Sequence, residues 1–328
     1  MTSRSRSAST AVAGLAAAAL ALTACGTGGP TAPGPDDKIK VVASTSVWGS
    51  VAQAVGGDAV EVESIVSDPN ADPHSYESTP QDAAKVTDAH LVVFNGGGYD
   101  SFIEEILRSN GQKPTVQAVA DEGEHAEGAH PEGEHPEGEH AGHDHGHAGH
   151  NHSVNEHVWY DLHVVHQVAD QVADELGKLQ PGKAEQFHQA AGQFEAEVEA
   201  LEGKVGEIAK SANGKPVIVT EPVAHYLIES AQLRDVTPQS FVNAIEAESD
   251  PSAAAVAEIQ NAINGKQAAA VVYNPQTESP VTRNVRSAAE QNQIPVVEMT
   301  ETLPEGKTYV QWMDAQITAL QSALNQNR

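Results

Sequence analysis

Cysteine is all but missing from this chain of 328 residues: Cys25 stands alone, which excludes internal disulfides and zinc sites built on paired CxxC motifs. Any metal must therefore be held by His, Asp, Glu or carbonyl oxygens. Basic residues are scarce as well. The 18 Lys and Arg stand against 46 Asp and Glu, a formal net charge of −28, which points away from nucleic acid, whose phosphates need a basic face. Cation binding or solubility fits that balance better. No HExxH, G-x-S-x-G or Walker loop occurs, so an enzymatic reading has little to stand on.

What is present begins with a basic start at Arg4 and Arg6 and the apolar run "AVAGLAAAALAL" from 11 to 22, too short to span a bilayer easily. Residues 1–24 read as an export signal. Its end, "LTAC", resembles the bacterial lipobox, in which the cysteine thiol is lipidated and opens the mature chain; Cys25 would be that residue. A lipid anchor at the outer face of the cytoplasmic membrane is the expectation. Residues 25–37, rich in Gly and Pro, read as a flexible tether.

The hydrophobic content of 39% suits packed cores, and the length suits two domains. From 38 to 180, short apolar β-branched runs ("IKVVAST", "VEVESIV", "HLVVFN", "TVQAVA") alternate with helical segments. The same alternation returns over 214–328 in "PVIVT", "AAAVVYN" and "IPVVEMT". Between them, 181–213 reads as one long amphipathic helix, with Pro181 near its start and Gly214 past its end. The predicted fold is α/β: two lobes of mostly parallel sheet flanked by helices, joined by that helix.

The first lobe is interrupted at 121–153 by repeats such as "PEGEH", followed by shorter Gly/His units. Such a composition cannot offset the cost of ordering a backbone, so a disordered insertion is expected. Its nine histidines, His125, His130, His135, His140, His143, His145, His147, His150 and His152, offer many weak, exchangeable sites for metal. "HDHGH" faintly resembles the histidine run of binuclear metallohydrolases, yet a Gly/Ala/His repeat supplies no rigid frame for catalysis.

Parallel α/β sheets bind ligands beyond the carboxyl ends of their strands. By that rule His74, in the loop after "VEVESIV", Glu221, directly after "PVIVT", and Glu301, after "IPVVEMT", form a short list. His157 joins them at the start of a helix just past the insertion. Two imidazoles and two carboxylates suit a divalent cation. His225, four residues after Glu221 on the same helix face, is an alternative to it. His163 and His166, three apart on a helix, read as a solvated face; His90 and His188 carry no signal.

"TSVWGSVAQAVGGD", "DPHSYESTPQD", "NGGGYDSF", "NEHVWYD" and "TETLPEG", taken in this order, resemble the zinc/manganese branch of ABC-transporter solute-binding lipoproteins over nearly all of the mature chain. The resemblance implies a first ligand from Asp-Pro-His, here His74, and a second from His-x-Trp, here His157. The third, His or Glu in the family, falls on Glu221; the fourth, usually Asp, falls on Glu301. Both second-lobe residues depart from the three-His zinc pattern, which leaves the metal's identity open.

What the resemblance implies is a monomeric, membrane-tethered receptor, not an enzyme, that captures Zn2+ between its lobes and passes it to an ABC permease and its ATPase, with no nucleic acid involved. The carboxylates favour Mn2+ as the alternative, while the His-rich insertion and the intrinsic affinity order favour zinc. A surface zinc buffer or adhesin without a transporter shares every residue named. Because a bound imidazole must be neutral, capture by the insertion should fade below about pH 6.

Overall fold

The computed structural model describes residues 33–34, 37–111, 113–119, 155–247 and 249–326. The expected export signal, Cys25, most of the expected tether, and residues 121–153 with their nine histidines lie outside the described residues. Among the described residues no helix is long and apolar enough to cross a membrane.

The first sheet contains β1 (Ile39–Thr45), β2 (Val60–Val66), β3 (Leu91–Gly96) and β4 (Thr115–Val119), all parallel in the order β2-β1-β3-β4. Strands β1 and β3 are buried almost throughout, the pattern of a parallel sheet covered on both faces. Side-chain alternation sorts them: Val41 and Val93 face the main core, while Val42, Val92 and Phe94 face a second core with Val86 and Ile103. The covering helices are α1 (Ser46–Gly56), α2 (Pro80–Asp88) and α3 (Ser101–Asn110). α4 (Leu162–Leu179) packs on α1 and β4 and so belongs to the same lobe.

α5 (Ala184–Ala212) follows a short 3-10 turn at Pro181–Lys183 and runs 29 residues, about 43 Å at the helical rise per residue. Its buried residues Phe187, Ala191, Phe194, Val198, Leu201, Val205, Ile208 and Ala212 alternate spacings of four and three, one continuous apolar stripe. The chain turns out of it through Gly214, whose φ of 68° lies where glycine is favoured.

The second sheet holds β5 (Pro216–Val219), β6 (Arg234–Asp235), β7 (Ala270–Tyr273) and β8 (Val296–Glu298), parallel in the order β6-β5-β7-β8. Around it lie α6 (His225–Ser230), α7 (Gln239–Glu246), α8 (Ala253–Asn264), α9 (Pro280–Gln291) and α10 (Tyr309–Gln326). Two parallel sheets flanked by helices and linked by one long helix match the expected fold class.

Three details depart from the sequence reading. Glu221 and His225, expected on one helix face, do not share a helix: α6 begins only at His225, after a 3-10 turn at Pro222–Ala224, and ends before Gln232, whose φ is 53°. Neither β6 nor α7 was expected: two exposed edge residues carry no periodicity, and α7 is a short helix in a polar setting. One main core runs from Ile39 in β1 through α5 to Leu324 in α10, so the two lobes share apolar packing.

Candidate metal centre

The carboxyl ends of β2, β3, β5, β7 and β8 meet in one cleft, and each delivers polar side chains into it. In the loop after β2, Asp72 accepts a hydrogen bond from the His74 backbone N–H at 2.9 Å and caps a 3-10 turn at Pro73–Ser75. That turn aims the His74 ring inward. After β8, Glu301 is fully buried, and its backbone N–H donates to Gln276 Oε1 at 2.5 Å. His157 precedes a 3-10 turn at Val158–Tyr160 and is 4% exposed.

Ligand atoms of His74, His157 and Glu301 all lie within 4.8 Å of one another. His74 Nε2 stands 3.2 Å and His157 Nε2 3.9 Å from Glu301 Oε2. The Asn155 side-chain oxygen accepts the His157 backbone N–H at 2.9 Å and lies 3.1 Å from His157 Nδ1. This pairing makes Nδ1 the protonated nitrogen and leaves Nε2 with a lone pair. Among the described residues, that Nε2 is buried and has no hydrogen-bond partner. An orphaned buried acceptor is costly unless something else fills the space, as a divalent cation would.

The charges in the cluster are set by burial working against neighbours. Burial pushes the His157 imidazole down to about 4 despite the Glu301 charge, so it is neutral at pH 7. Burial also works to lower His74, but the hydrogen bond to Glu301 and the charges of Glu301, Glu156 and Asp72 prevail and push it up to about 10. Burial would raise Glu301; its contacts with His74, His157 and Tyr99 hold it well below the usual range. Glu221 moves upward instead, through burial and the nearby Glu301 charge.

Glu221 is buried but stands outside the three-residue group. Its carboxylate accepts hydrogen bonds from Asn274 Nδ2 and Thr277 Oγ1. The same Asn274 nitrogen donates to Glu301 Oε1 at 2.8 Å, so one amide sits between the two carboxylates. His225, the alternative considered for Glu221, is exposed at the start of α6 and lies 3.8 Å from Glu229. His163 approaches Gln167, His166 Glu202 and His188 Asp174, and His90 Nδ1 accepts from the Lys40 N–H. None of these four joins the group of His74, His157 and Glu301.

Several residues that shape the cleft were not singled out from sequence. Tyr99 donates its hydroxyl to Glu301 Oε2 at 2.9 Å; it is turned inward by Gly96, Gly97 and Gly98, all at positive φ. A Cβ at Gly96 would come within 2.7 Å of the Val119 carbonyl oxygen. Glu156 Oε1 lies 3.2 Å from His74 Nδ1. Asn274 and Gln276 follow β7, and applying the strand-end rule to "AAAVVYN" as well would have found them.

Comparison with known proteins is specific. Residues 41–323 match the model of the family described as zinc-uptake complex component A, periplasmic, and the chain belongs to that family. It is a family of periplasmic solute-binding proteins and not of enzymes. Among curated proteins, the manganese-binding lipoprotein MntA of Bacillus subtilis is 25% identical over 61% of this chain and 60% of its own length. The zinc-binding lipoprotein AdcA of Streptococcus pneumoniae is 25% identical over 89% of this chain and 57% of its own. The chain thus spans under two thirds of the curated relatives it matches. The periplasmic zinc-binding protein TroA of Treponema pallidum superposes with a TM-score of 0.66 at 18% identity, covering 88% of this chain and 99% of that one. At that identity the likeness is one of fold.

Proposed function

We propose that this chain is the solute-binding component of a zinc ABC importer, capturing Zn2+ in the cleft between its lobes and delivering it to a membrane permease driven by an ATPase. The observation that carries this reading is the convergence of His74, His157 and Glu301 ligand atoms within 4.8 Å, with His157 Nε2 buried and unpartnered. Two imidazole nitrogens and a carboxylate oxygen are a usual protein donor set for zinc. Glu221 supplies the fourth ligand when Asn274 gives up its carboxylate; otherwise that position falls to water. The relatives named for zinc and for manganese support a transition-metal cargo between them, and the affinity order of nitrogen and oxygen sites puts zinc above manganese.

In this reading Cys25 carries the lipid that holds the chain at the outer face of the membrane, and the chain works as a monomer. The nine histidines of 121–153 raise the local concentration of exchangeable metal near the cleft. Calorimetry with zinc and competing manganese is the test: zinc is expected to bind more tightly, and tighter manganese would reverse the assignment. Deleting 121–153 should lower the number of metals bound and keep one tight site. Loss of that tight site would overturn the division of labour.

A further inference from the structure

Glu156 is the residue that immediately precedes ligand candidate His157, yet its side chain turns to the other histidine. Its Oε1 lies 3.2 Å from His74 Nδ1, while His74 Nε2 lies 3.2 Å from Glu301 Oε2 on the opposite side of the ring. The ring is therefore held between two carboxylates, one buried in the cleft and one at its mouth, 31% exposed. The backbone beneath Glu156 is held too. Its carbonyl accepts from Asn95 Nδ2 at 2.8 Å, and Asn95 is itself fully buried and takes a hydrogen bond from Trp48 Nε1. On one side of it, Asn155 donates to the Pro222 carbonyl at 3.1 Å and accepts from the Tyr226 hydroxyl at 2.7 Å, both in the second lobe. Residues 155–157 thus span the cleft, and the Glu156 side chain leaves from a fixed point.

We propose that Glu156 is a positioning residue of the metal site, whose carboxylate accepts the Nδ1–H of His74 and so presents Nε2 of that ring to the cation. This rests on the reading of His74 as a ligand and deepens it. A neutral imidazole has one protonated and one lone-pair nitrogen, and the acceptor facing one of them decides which nitrogen is left for metal. With a carboxylate on the Nδ1 side, Nε2 is the nitrogen that binds. The same carboxylate makes the bound imidazole a stronger donor and stops the ring of a half-open loop from turning over. His157 is fixed in the same tautomer by Asn155, a neutral acceptor, so the two histidines are oriented by adjacent residues of one segment.

Nitrogen-15 NMR of the full chain loaded with zinc tests the proposal directly. His74 is expected to be metallated at Nε2 and protonated at Nδ1, with a slowly exchanging Nδ1–H signal. Glu156→Ala should lose that slow exchange and weaken zinc binding about 10–100-fold, the usual cost of removing such a partner. Glu156→Gln keeps an acceptor oxygen, so it should retain the Nδ1–H tautomer and recover part of the affinity. A purely structural role would not separate these two variants by tautomer. The proposal is overturned if His74 of the unaltered chain binds through Nδ1, a result that needs no variant to fold, or if Glu156→Ala matches the unaltered affinity within about twofold. Failure of the underlying site would look different: the unaltered chain would take up neither zinc nor manganese.

Discussion

At the scale of single residues, the proposed function makes the pair His74 and Glu301 the place where metal is exchanged for protons. With no cation between them, an imidazole nitrogen and a carboxylate oxygen 3.2 Å apart are held together by a shared proton. His74 is accordingly pushed up to about 10 and carries that proton at pH 7, whereas His157, pushed down to about 4, carries none. On the proposed reading, zinc must expel the His74 proton. Calorimetry in two buffers of different ionisation enthalpy should therefore read about one proton released per zinc, and nearer two if Glu221, raised by burial, also becomes a ligand. The sign follows: below pH 10 each unit of acid should weaken zinc by about tenfold, a competition that begins well above the pH 6 expected for free imidazoles. Zinc binding without proton release would refute this account.

The same cluster ranks the substitutions. His157→Ala removes a buried donor that no neighbour can replace, and Glu301→Gln removes the anion that both histidines face. Either should abolish the tight site. Glu221→Gln keeps a hydrogen-bonding side chain against Asn274 and Thr277 and should cost less than Glu301→Gln. An equal loss from both would make Glu221 a full ligand in every loaded molecule.

At the scale of elements, α2 shows how a short helix is fixed beside the His74 loop. Thr79 accepts the Asp82 N–H at 3.3 Å, and Asp82 in return accepts from the Thr79 N–H at 2.9 Å, a capping box, with the Tyr76 hydroxyl added at 2.8 Å. Burial would raise the Asp82 carboxyl, but the Thr79 and Tyr76 hydrogen bonds and the Lys85 charge hold it below its ordinary value. A depressed carboxyl contributes stability that is present above the unfolded value near 3.8 and lost as pH falls through the folded one. Asp82→Asn should thus lower the denaturation midpoint at pH 7, by about 1 kcal/mol in a cap of this kind, with the gap to the unaltered chain narrowing below pH 3.8. A gap unchanged in acid would contradict the pairing.

Elements with a strong period are legible in the sequence alone. α5 is an example, since its four-three apolar spacing is visible in the sequence; so is β1, whose β-branched run needs both faces covered. Ligand candidates that end strands, His74, Glu221 and Glu301, were legible from topology once the strands were placed. What did not show was orientation. Nothing in "YNPQT" says that Asn274 will stand between two carboxylates, and nothing in "NEH" says that Glu156 turns to His74 rather than to solvent. Those facts depend on contacts between distant segments, for which a single sequence carries no local signal.

At the scale of the whole molecule, the question is what moves when metal is released. A wide hinge between the lobes would have to divide the main core, which continues from Ile39 to Leu324, and bend the stripe of α5 from Phe187 to Ala212. It would also break the hydrogen bonds that Tyr160 OH donates to the Thr300 carbonyl at 2.8 Å and Tyr309 OH to the Trp159 carbonyl at 2.7 Å, both across the lobes. Apolar area returned to water costs about 25 cal/mol per Å2, so such an opening is expensive compared with a loop shift. The loop holding His74 is the cheaper part: apart from the His74–Glu301 pair itself, its backbone is tied to the second lobe mainly through Gln276, which donates to the Ala71 carbonyl at 2.8 Å and the Pro69 carbonyl at 3.2 Å. Hydrogen exchange with and without zinc should therefore change over 67–79 and 155–158 and leave 184–212 as it was. Gln276→Ala should speed zinc release more than it weakens folding, because it frees that loop while the shared core stays intact. Exchange that spread along α5 on metal loss would show instead that the lobes part as rigid bodies, and the shared core would then have to be a property of the closed form alone.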